Sequence, residues 1–531
     1  MMNLIRVLNE IAHFFQNRYG RFQNFAENVT MTWIRPTSAC ANRVTLEVNT
    51  MTSKARKDGL SFRSHSTKFP DMSEEYDVIV IGGGSGGYAA AKKSSSLGLK
   101  VAVIDGAKEL GGLCILRGCM PTKALLETSS RMRAIREAGE FAIEVQNPSI
   151  DIDSLRNRKS RLIDDFQHYR VKGLENGNFN LIRGCAKFLS PHEIEIEGHG
   201  TLKGKAFVVA TGSVESIPKI PGLSDSPYWT SDDIVDLPRL PESVVVVGTG
   251  AVGMESAFLF EGLGSKVTII SRSRPLVSGV TPALSEAMEK RCQDLEIDII
   301  FEKPLTHVSH HDSGFTLTIG EETHIDCDQL IMASGRKPNL ASLNLVAVGF
   351  DKDLKQLEIN DYCQTSKPHI FGVGDVSSPL AVVHLAVMQG EAAGENLAAY
   401  LKGAKQTATW DERLNIFGIF TDPELVELGW NQNEAIKRGF DPVTASYRYD
   451  DQGKGEIVGE KHGLVSITAD RKTGKILGAA GIGPHVIDYA HTMMVALHQN
   501  LTVAEFLKIP SYHPTLGEIW TYVAEELMEE L

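Results

Sequence analysis

Short β-branched runs along this chain lead into glycine-rich turns, and the pattern occurs twice. Tyr76-Asp-Val-Ile-Val-Ile81 is apolar enough for a strand buried on both faces of a parallel sheet. It enters Gly82-Gly-Gly84-Ser85-Gly-Gly87, after which Tyr88-Ala-Ala-Ala-Lys-Lys begins a helix. A second strand, from Lys100 to Ile104, ends on Asp105. The same order returns later. Ser243-Val-Val-Val-Val247 precedes Gly248-Thr-Gly250-Ala-Val-Gly253, Met254-Glu255 begins a helix, and Lys266 to Ile270 forms a strand ending on Ser271. In both copies the strand-end residue follows the first glycine by 23 positions. A repeat at that register predicts two nucleotide-binding folds of the α/β class.

The three glycines of each copy have separate physical roles, which are a tight turn, close approach of backbone to a pyrophosphate, and close helix–strand packing. Gly82, Gly84 and Gly87, with Ser85, are therefore candidate contacts in the first copy; Gly248, Gly250 and Gly253 are their counterparts. The strand ends differ. Asp105 can accept from a free ribose hydroxyl, whereas Ser271 is followed by Arg272 and Arg274, which suit a 2′-phosphate. Solvated loop charges are the plainer reading of these arginines.

Both copies close alike, on Phe207-Val-Val-Ala-Thr211-Gly212 and Leu330-Ile-Met-Ala-Ser334-Gly335. Val214 to Pro241, rich in Pro, Ser and Asp, reads as a linker between them. Thr365 to Asp375 reads as a strand entering a turn at Gly374-Asp375, where the acid can reach a ribityl hydroxyl or simply make a turn. After about residue 410, strand-like runs (Val465-Ser-Ile-Thr, Ile476-Leu-Gly-Ala-Ala) precede helices, which predicts a separate α+β domain. The expected boundaries are an N-terminal extension over 1–71, a first nucleotide domain over 72–240, a second over 241–338, a return to the first over 339–410, and a last domain over 411–531.

Composition narrows the class. The 531 residues are 42% hydrophobic and 23% charged, ordinary for a globular protein with several cores. No apolar run approaches the ~18 residues needed to cross a bilayer. Residues 1–71 carry a net +5 and the remainder −18, which together give −13. An acidic body argues against general nucleic-acid or membrane-surface binding. The basic, amphipathic start (Leu4, Ile5, Leu8, Ile11, Phe15, with Arg6, Arg18 and Arg21) has the form of a transit peptide. A disordered tail, or upstream sequence before a start at Met72, is preferred. The expected location is cytoplasmic, or mitochondrial if the extension is a transit peptide.

Seven cysteines suit a reducing compartment rather than a disulfide scaffold. Two stand together, Cys114 and Cys119, within Gly-Gly-Leu-Cys-Ile-Leu-Arg-Gly-Cys-Met-Pro-Thr-Lys123. The other five are single, so no second pair completes a zinc site, and no metal is expected. A disulfide is the better reading. Residues five apart on a regular helix lie about 7.5 Å apart along its axis, beyond disulfide reach, so the backbone between them must be irregular, as Gly118 permits. Cys119 then sits where a helix begins, with Pro121 in its first turn, and the helix dipole favours a thiolate there. A structural disulfide or two ordinary thiols remain alternatives. His513 and Glu518, five apart around Pro514, can form a base and its orienting carboxylate, or ordinary surface chemistry. His310-His311, placed in a turn, His384 and His485 read as structural or solvated.

In combination these motifs resemble the pyridine nucleotide–disulfide oxidoreductases from about residue 75 onward: Gly-Gly-x-Cys-x4-Cys-x-Pro-x-Lys, two GxGxxG, the Gly374-Asp375 flavin motif and His-Pro-Thr-x-x-Glu. The resemblance implies two Rossmann-like domains and a C-terminal α+β dimerisation domain. It implies FAD held through Gly82, Gly84, Ser85, Gly87, Asp105, Thr211, Gly212, Gly374 and Asp375. NAD or NADP is implied at Gly248, Gly250, Gly253, Arg272 and Gly335. It also implies Cys119 against the flavin, Cys114 exchanging with substrate, Lys123 and Glu255 as an ion pair beside flavin and nicotinamide, and His513 as the base held by Glu518. In that family the base comes from the neighbouring subunit, so an obligatory homodimer is implied.

Within the family, the absence of a C-terminal cysteine pair separates the chain from large thioredoxin reductases. Its histidine at 513 separates it from mercuric reductases, and its full cysteine pair from soluble transhydrogenases. Gly86-Gly-Tyr-Ala-Ala-Ala, Met120-Pro-Thr-Lys-Ala-Leu-Leu, Ala210-Thr-Gly-Ser and Phe420-Thr-Asp-Pro-Glu424 are similar to dihydrolipoamide dehydrogenases, whose substrate is a lipoyl group. Three positions depart from that pattern: Ile115-Leu-Arg117 between the cysteines, Ser511, and Ser271-Arg272. The last favours NADPH and keeps glutathione reductase, or another disulfide reductase, as the alternative. A redox-silent flavin-binding assembly component is the alternative of a different class.

Overall fold

The computed structural model describes residues 75–531 apart from Pro379. The N-terminal extension, with its amphipathic stretch and the start at Met72, lies outside the described residues.

The first sheet begins where the β-branched run predicts it. Strand β1 (Glu75–Ile81) leads to helix α1 (Ser85–Ser96) and β2 (Val101–Asp105). Two helices carry the cysteines, α2 (Leu113–Leu116) and α3 (Cys119–Arg136), followed by the long α4 (Ile152–Glu175). Then come β3 (Asn180–Arg183), β4 (Ala186–Ser190), β5 (Glu193–Ile196) and β6 (Gly200–Val209). The strand order is β3-β2-β1-β6-β5-β4. β1 pairs parallel with both β2 and β6, and its residues from Val78 onward alternate between two buried clusters, one on each face of the sheet.

Residues 214–241 are not a plain linker. β7 (Ser213–Glu215) opens the segment, and α5 (Ser231–Ile234) starts with a capping box in which Thr230 and Asp233 bond each other's backbone N–H. The second nucleotide fold follows: β8 (Ser243–Val247), α6 (Ala251–Leu263), β9 (Lys266–Ser271), α7 (Pro282–Asp294) and β10 (Asp298–Phe301). A meander of β11 (Leu305–His311), β12 (Gly314–Ile319) and β13 (Thr323–Cys327) precedes β14 (Gln329–Met332) and β15 (Arg336–Pro338). The second parallel sheet runs β10-β9-β8-β14, and β15 pairs back antiparallel with β7. That pairing turns the expected linker into a two-stranded tie. Its polar composition concealed it because the strand is three residues long and its partner lies more than a hundred residues on. His310 and His311 end strand β11 rather than occupying a turn; the turn falls two residues later, at Asp312-Ser313.

Strand β16 (Ile370–Gly372) returns to the first sheet beside β6, and α8 (Val383–Leu401) packs against α1. The contact is close: a Cβ at Gly390 would lie 2.4 Å from the Gly86 carbonyl oxygen.

The last region is an antiparallel sheet in the order β17-β18-β21-β20-β19. Its strands are β17 (Ile416–Ile419), β18 (Glu424–Gly429), β19 (Pro442–Arg448), β20 (Leu464–Asp470) and β21 (Ile476–Gly483). Helices α9 (Gln432–Lys437), α10 (Gly453–Val458), α11 (Val486–Tyr489), α12 (His491–His498), α13 (Val503–Phe506) and α14 (Ile519–Glu530) accompany it. Trp520, Val523, Ala524 and Leu527 of α14 pack into the sheet's core. No helix of the described residues is long and apolar enough to cross a membrane.

Candidate active site

The two glycine turns are superposable in their constraints. Gly82 and Gly248 have φ of +109° and +116°, and a Cβ on either would lie 2.3 Å from the carbonyl oxygen of Ala210 or Ala333. A Cβ on Gly87 or Gly253 would lie 1.9 or 2.0 Å from the Gly82 or Gly248 oxygen. Gly84 and Gly250 have nothing within 4 Å of that position. The first and third glycines thus close the turn, and the middle one leaves backbone open to a ligand. Helices α1 and α6 begin there without a side-chain cap, so their first N–H groups are free to hold a phosphate.

The strand ends diverge as the sequence predicts. Asp105 accepts from the Gly83 N–H and the Ala107 N–H, each at 2.9 Å, so it braces the first turn while its carboxylate lines the cleft. Ser271 instead donates to the Ser273 carbonyl at 2.7 Å. Arg274 is engaged, with its guanidinium 3.7 Å above the Phe301 ring and 3.1 Å from Glu289. Arg272 is exposed and, among the described residues, makes no comparable contact.

A cleft of about 440 Å³ runs along the first turn, a volume within the usual range for cofactor sites. Gly82, Gly84, Ser85, Asp105, Thr211, Gly212, Gly374 and Asp375 line it, together with Cys114 and Cys119. Gly87 stands behind the turn and shapes it. Asp375 accepts from Ser213 Oγ at 2.7 Å, and Ser213 accepts in turn from Arg336 Nε at 2.9 Å. The redox loop lies directly on the turn: a Cβ at Gly112 would sit 3.0 Å from Gly84 Cα. Open backbone, an uncapped helix start and two carboxylates lining one groove fit a dinucleotide, and the sulfur pair lines the same groove.

Between the cysteines the backbone breaks as the spacing requires. Helix α2 ends at Leu116, Arg117 and Gly118 are non-helical, and α3 starts at Cys119. The structure holds the pair as free thiols rather than as a disulfide. They share a hydrogen bond, which, with the nearby Lys123 ammonium, lowers Cys119 to about 7 despite desolvation. The same bond, followed by burial and the neighbouring charge, pushes Cys114 up. One thiol is thus primed to ionise and the other to stay protonated.

Lys123 and Glu255 meet at 2.7 and 2.8 Å across the α3–α6 contact. Glu255 is buried and also accepts from the Phe420 N–H at 3.1 Å, while the Lys123 ammonium lies 4.6 Å from the Phe420 ring centroid. Farther along the same two helices, buried Arg133 donates to the Phe258 carbonyl at 2.7 Å and to Glu261 at 2.9 Å. With Arg136, which also reaches Glu261, the helix that carries the sulfur is bound to the helix of the second turn by three cation–carboxylate pairs.

His513 and Glu518 also meet. Nδ1 lies 3.1 and 3.2 Å from the two carboxylate oxygens, Glu518 is buried, and the His513 side chain is 72% exposed. Neither lines the cleft of the cysteines. His384, by contrast, is structural: its Nε2 accepts from the Ile416 N–H at 3.1 Å, and burial holds its pKa below the usual imidazole range. Gly335, at φ +109°, closes β14 with open space beside it.

Two contacts escape the sequence reading. Arg117 bonds Asp236 at 2.6 Å and so fixes the redox loop to the segment just after α5. Gln452 bonds Glu518 from a different part of the last domain. Arg117 lies inside the cysteine motif and Gln452 in none, but their partners lie 119 and 66 residues away, so nothing local marks either contact.

Residues 76–390 match the family described as pyridine nucleotide-disulphide oxidoreductase, and residues 417–524 match its dimerisation domain. The chain belongs to this family. The family uses FAD and NAD(P)H, and the dimerisation domain fits a homodimer. A dihydrolipoyl dehydrogenase of Bacillus subtilis is 30% identical over 84% of this chain and 97% of its own length. One from Halobacterium salinarum is 29% identical over 86% and 97%. A mercuric reductase of Lysinibacillus sphaericus is 29% identical over 84% and 81%. Among solved structures, the HOCl-induced flavoprotein disulfide reductase RclA of Escherichia coli superposes with a TM-score of 0.75 at 22% identity, covering 85% of this chain and 99% of that one. That likeness carries the fold.

Proposed function

We propose that this member of the family is a dihydrolipoyl dehydrogenase, oxidising the dithiol of a lipoyl group through the Cys114–Cys119 pair. The observation that carries the reading is the unequal thiol pair on either side of the break between α2 and α3, in a groove that fits a dinucleotide. In the oxidised enzyme, His513 removes a proton from one substrate thiol. The resulting thiolate attacks Cys114 Sγ, forming a mixed disulfide and releasing Cys119 as a thiolate. The second substrate thiol displaces Cys114, which leaves a cyclic substrate disulfide and a reduced enzyme pair. The low pKa of Cys119 makes it the better leaving group, and the Lys123 ammonium stabilises its charge. Bound FAD would carry the electron pair from this thiolate to the nicotinamide. Because His513 lies away from the cleft of its own chain, we assign it to the sulfur pair of a second subunit. Glu518 keeps its Nδ1 protonated and leaves Nε2 as the base.

An NADPH-dependent disulfide reductase, glutathione reductase among them, is the second reading, favoured by the exposed Arg272 where an acid would select NADH. Steady-state assays separate the two. Dihydrolipoamide with NAD⁺ or NADP⁺ should be turned over; turnover of oxidised glutathione with NADPH, and none of lipoamide, would replace the first reading by the second.

A further inference from the structure

The carboxylate of Glu518 is held from two sides. His513 is one; the other is Gln452, which is 1% exposed and lies at the start of α10. Its Nε2 donates to Glu518 Oε1 at 3.0 Å and to the Thr515 carbonyl at 2.9 Å, and its Oε1 accepts from the Gly455 N–H at 2.6 Å. A buried amide with both ends engaged has one orientation, because flipping it would set oxygen against oxygen. Tyr522 offers Glu518 only a longer contact, at 3.5 Å. Gln452 therefore decides which way the carboxylate faces, and it also ties down the Thr515 carbonyl of the turn between histidine and acid.

We propose that Gln452 is a positioning residue for the His513 base, fixing the Glu518 carboxylate so that His513 keeps its proton on Nδ1 and presents Nε2. This rests on the reading of His513 as the base. Gln452 touches no substrate; it acts through Glu518. A carboxylate fixed by a second donor presents one face to the imidazole and selects a single tautomer.

The test uses the full-length holoenzyme and Gln452→Asn. Asparagine is a favoured residue at a helix N-cap, so the Gly455 N–H keeps an acceptor, but it is one methylene too short to reach Glu518. The variant should keep its thermal midpoint and its nicotinamide KM while kcat for dithiol oxidation falls about tenfold, a part of what a general base contributes. In a Glu518→Gln background the same change should cost nothing further, because the path is already broken. Nitrogen NMR of labelled histidine should show mixed His513 tautomers in the variant and one in the parent. An equal loss in both backgrounds, or a folded variant with the parent's kcat and tautomer, would overturn the proposal. A His513→Gln enzyme with undiminished kcat would instead reject the base, and the tautomer measurement would still judge Gln452.

Discussion

The two glycine turns are nearly the same backbone and two different sites. Both have a first glycine in the left-handed region, a third glycine against the first carbonyl, and an uncapped helix start. What differs is the residue at the end of the next strand and what lies across the groove. In the first copy a carboxylate braces the turn and the sulfur pair faces it. In the second, a serine folds onto its own loop and an arginine is left exposed. Shape is set by where a Cβ cannot be; ligand choice is set by one or two side chains outside that shape.

The largest effects should come from filling the turns. Gly87→Ala and Gly253→Ala each put a Cβ where a carbonyl oxygen stands, at a cost of about 3 kcal/mol, roughly a hundredfold in affinity. The first should purify without its yellow colour, and the second should stay yellow yet fail to saturate with nicotinamide in titrations. If both lost the flavin, the copies would not be independent. Next comes Asp105→Ala, which leaves the Gly83 and Ala107 N–H groups without their acceptor and should lower stability by about 1–3 kcal/mol in urea melts. Ser271→Ala should change stability little, because its hydroxyl bonds only a neighbouring loop carbonyl.

Nicotinamide choice gives an intermediate effect. Arg272→Ala should raise the KM for NADPH about tenfold and leave NADH unchanged, whereas Arg274→Ala, already engaged by Glu289 and Phe301, should not discriminate between them. Equal effects of Arg272→Ala on both nucleotides would remove it from the phosphate site. The smallest effect concerns the sulfurs, which only the first turn faces. In the reduced enzyme, thiolate absorbance should rise with pH through a midpoint of about 7, and Cys119→Ser should abolish that step. Lys123→Met removes a cation that favours the thiolate, so the midpoint should move upward, by about one pH unit.

Much of this was written locally. Each fingerprint, its flanking strand and helix, and the break between the cysteines follow from side-chain size and spacing within some thirty residues. The polar composition of 214–241 misled because the bond partners of β7 lie on β15, more than a hundred residues on. Likewise His310 and His311 look like turn residues, but an exposed strand in a meander tolerates them.

The sequence by itself determined that there are two nucleotide turns, one cysteine pair and one histidine–glutamate pair, because each depends on contacts between near neighbours. Only the tertiary structure decided that Arg133 meets Glu261, that the redox loop rests on Gly84, and that Gln452 holds Glu518. Those contacts join residues far apart along the chain, and only the packing of helices and sheets around shared cores brings such groups within hydrogen-bond distance.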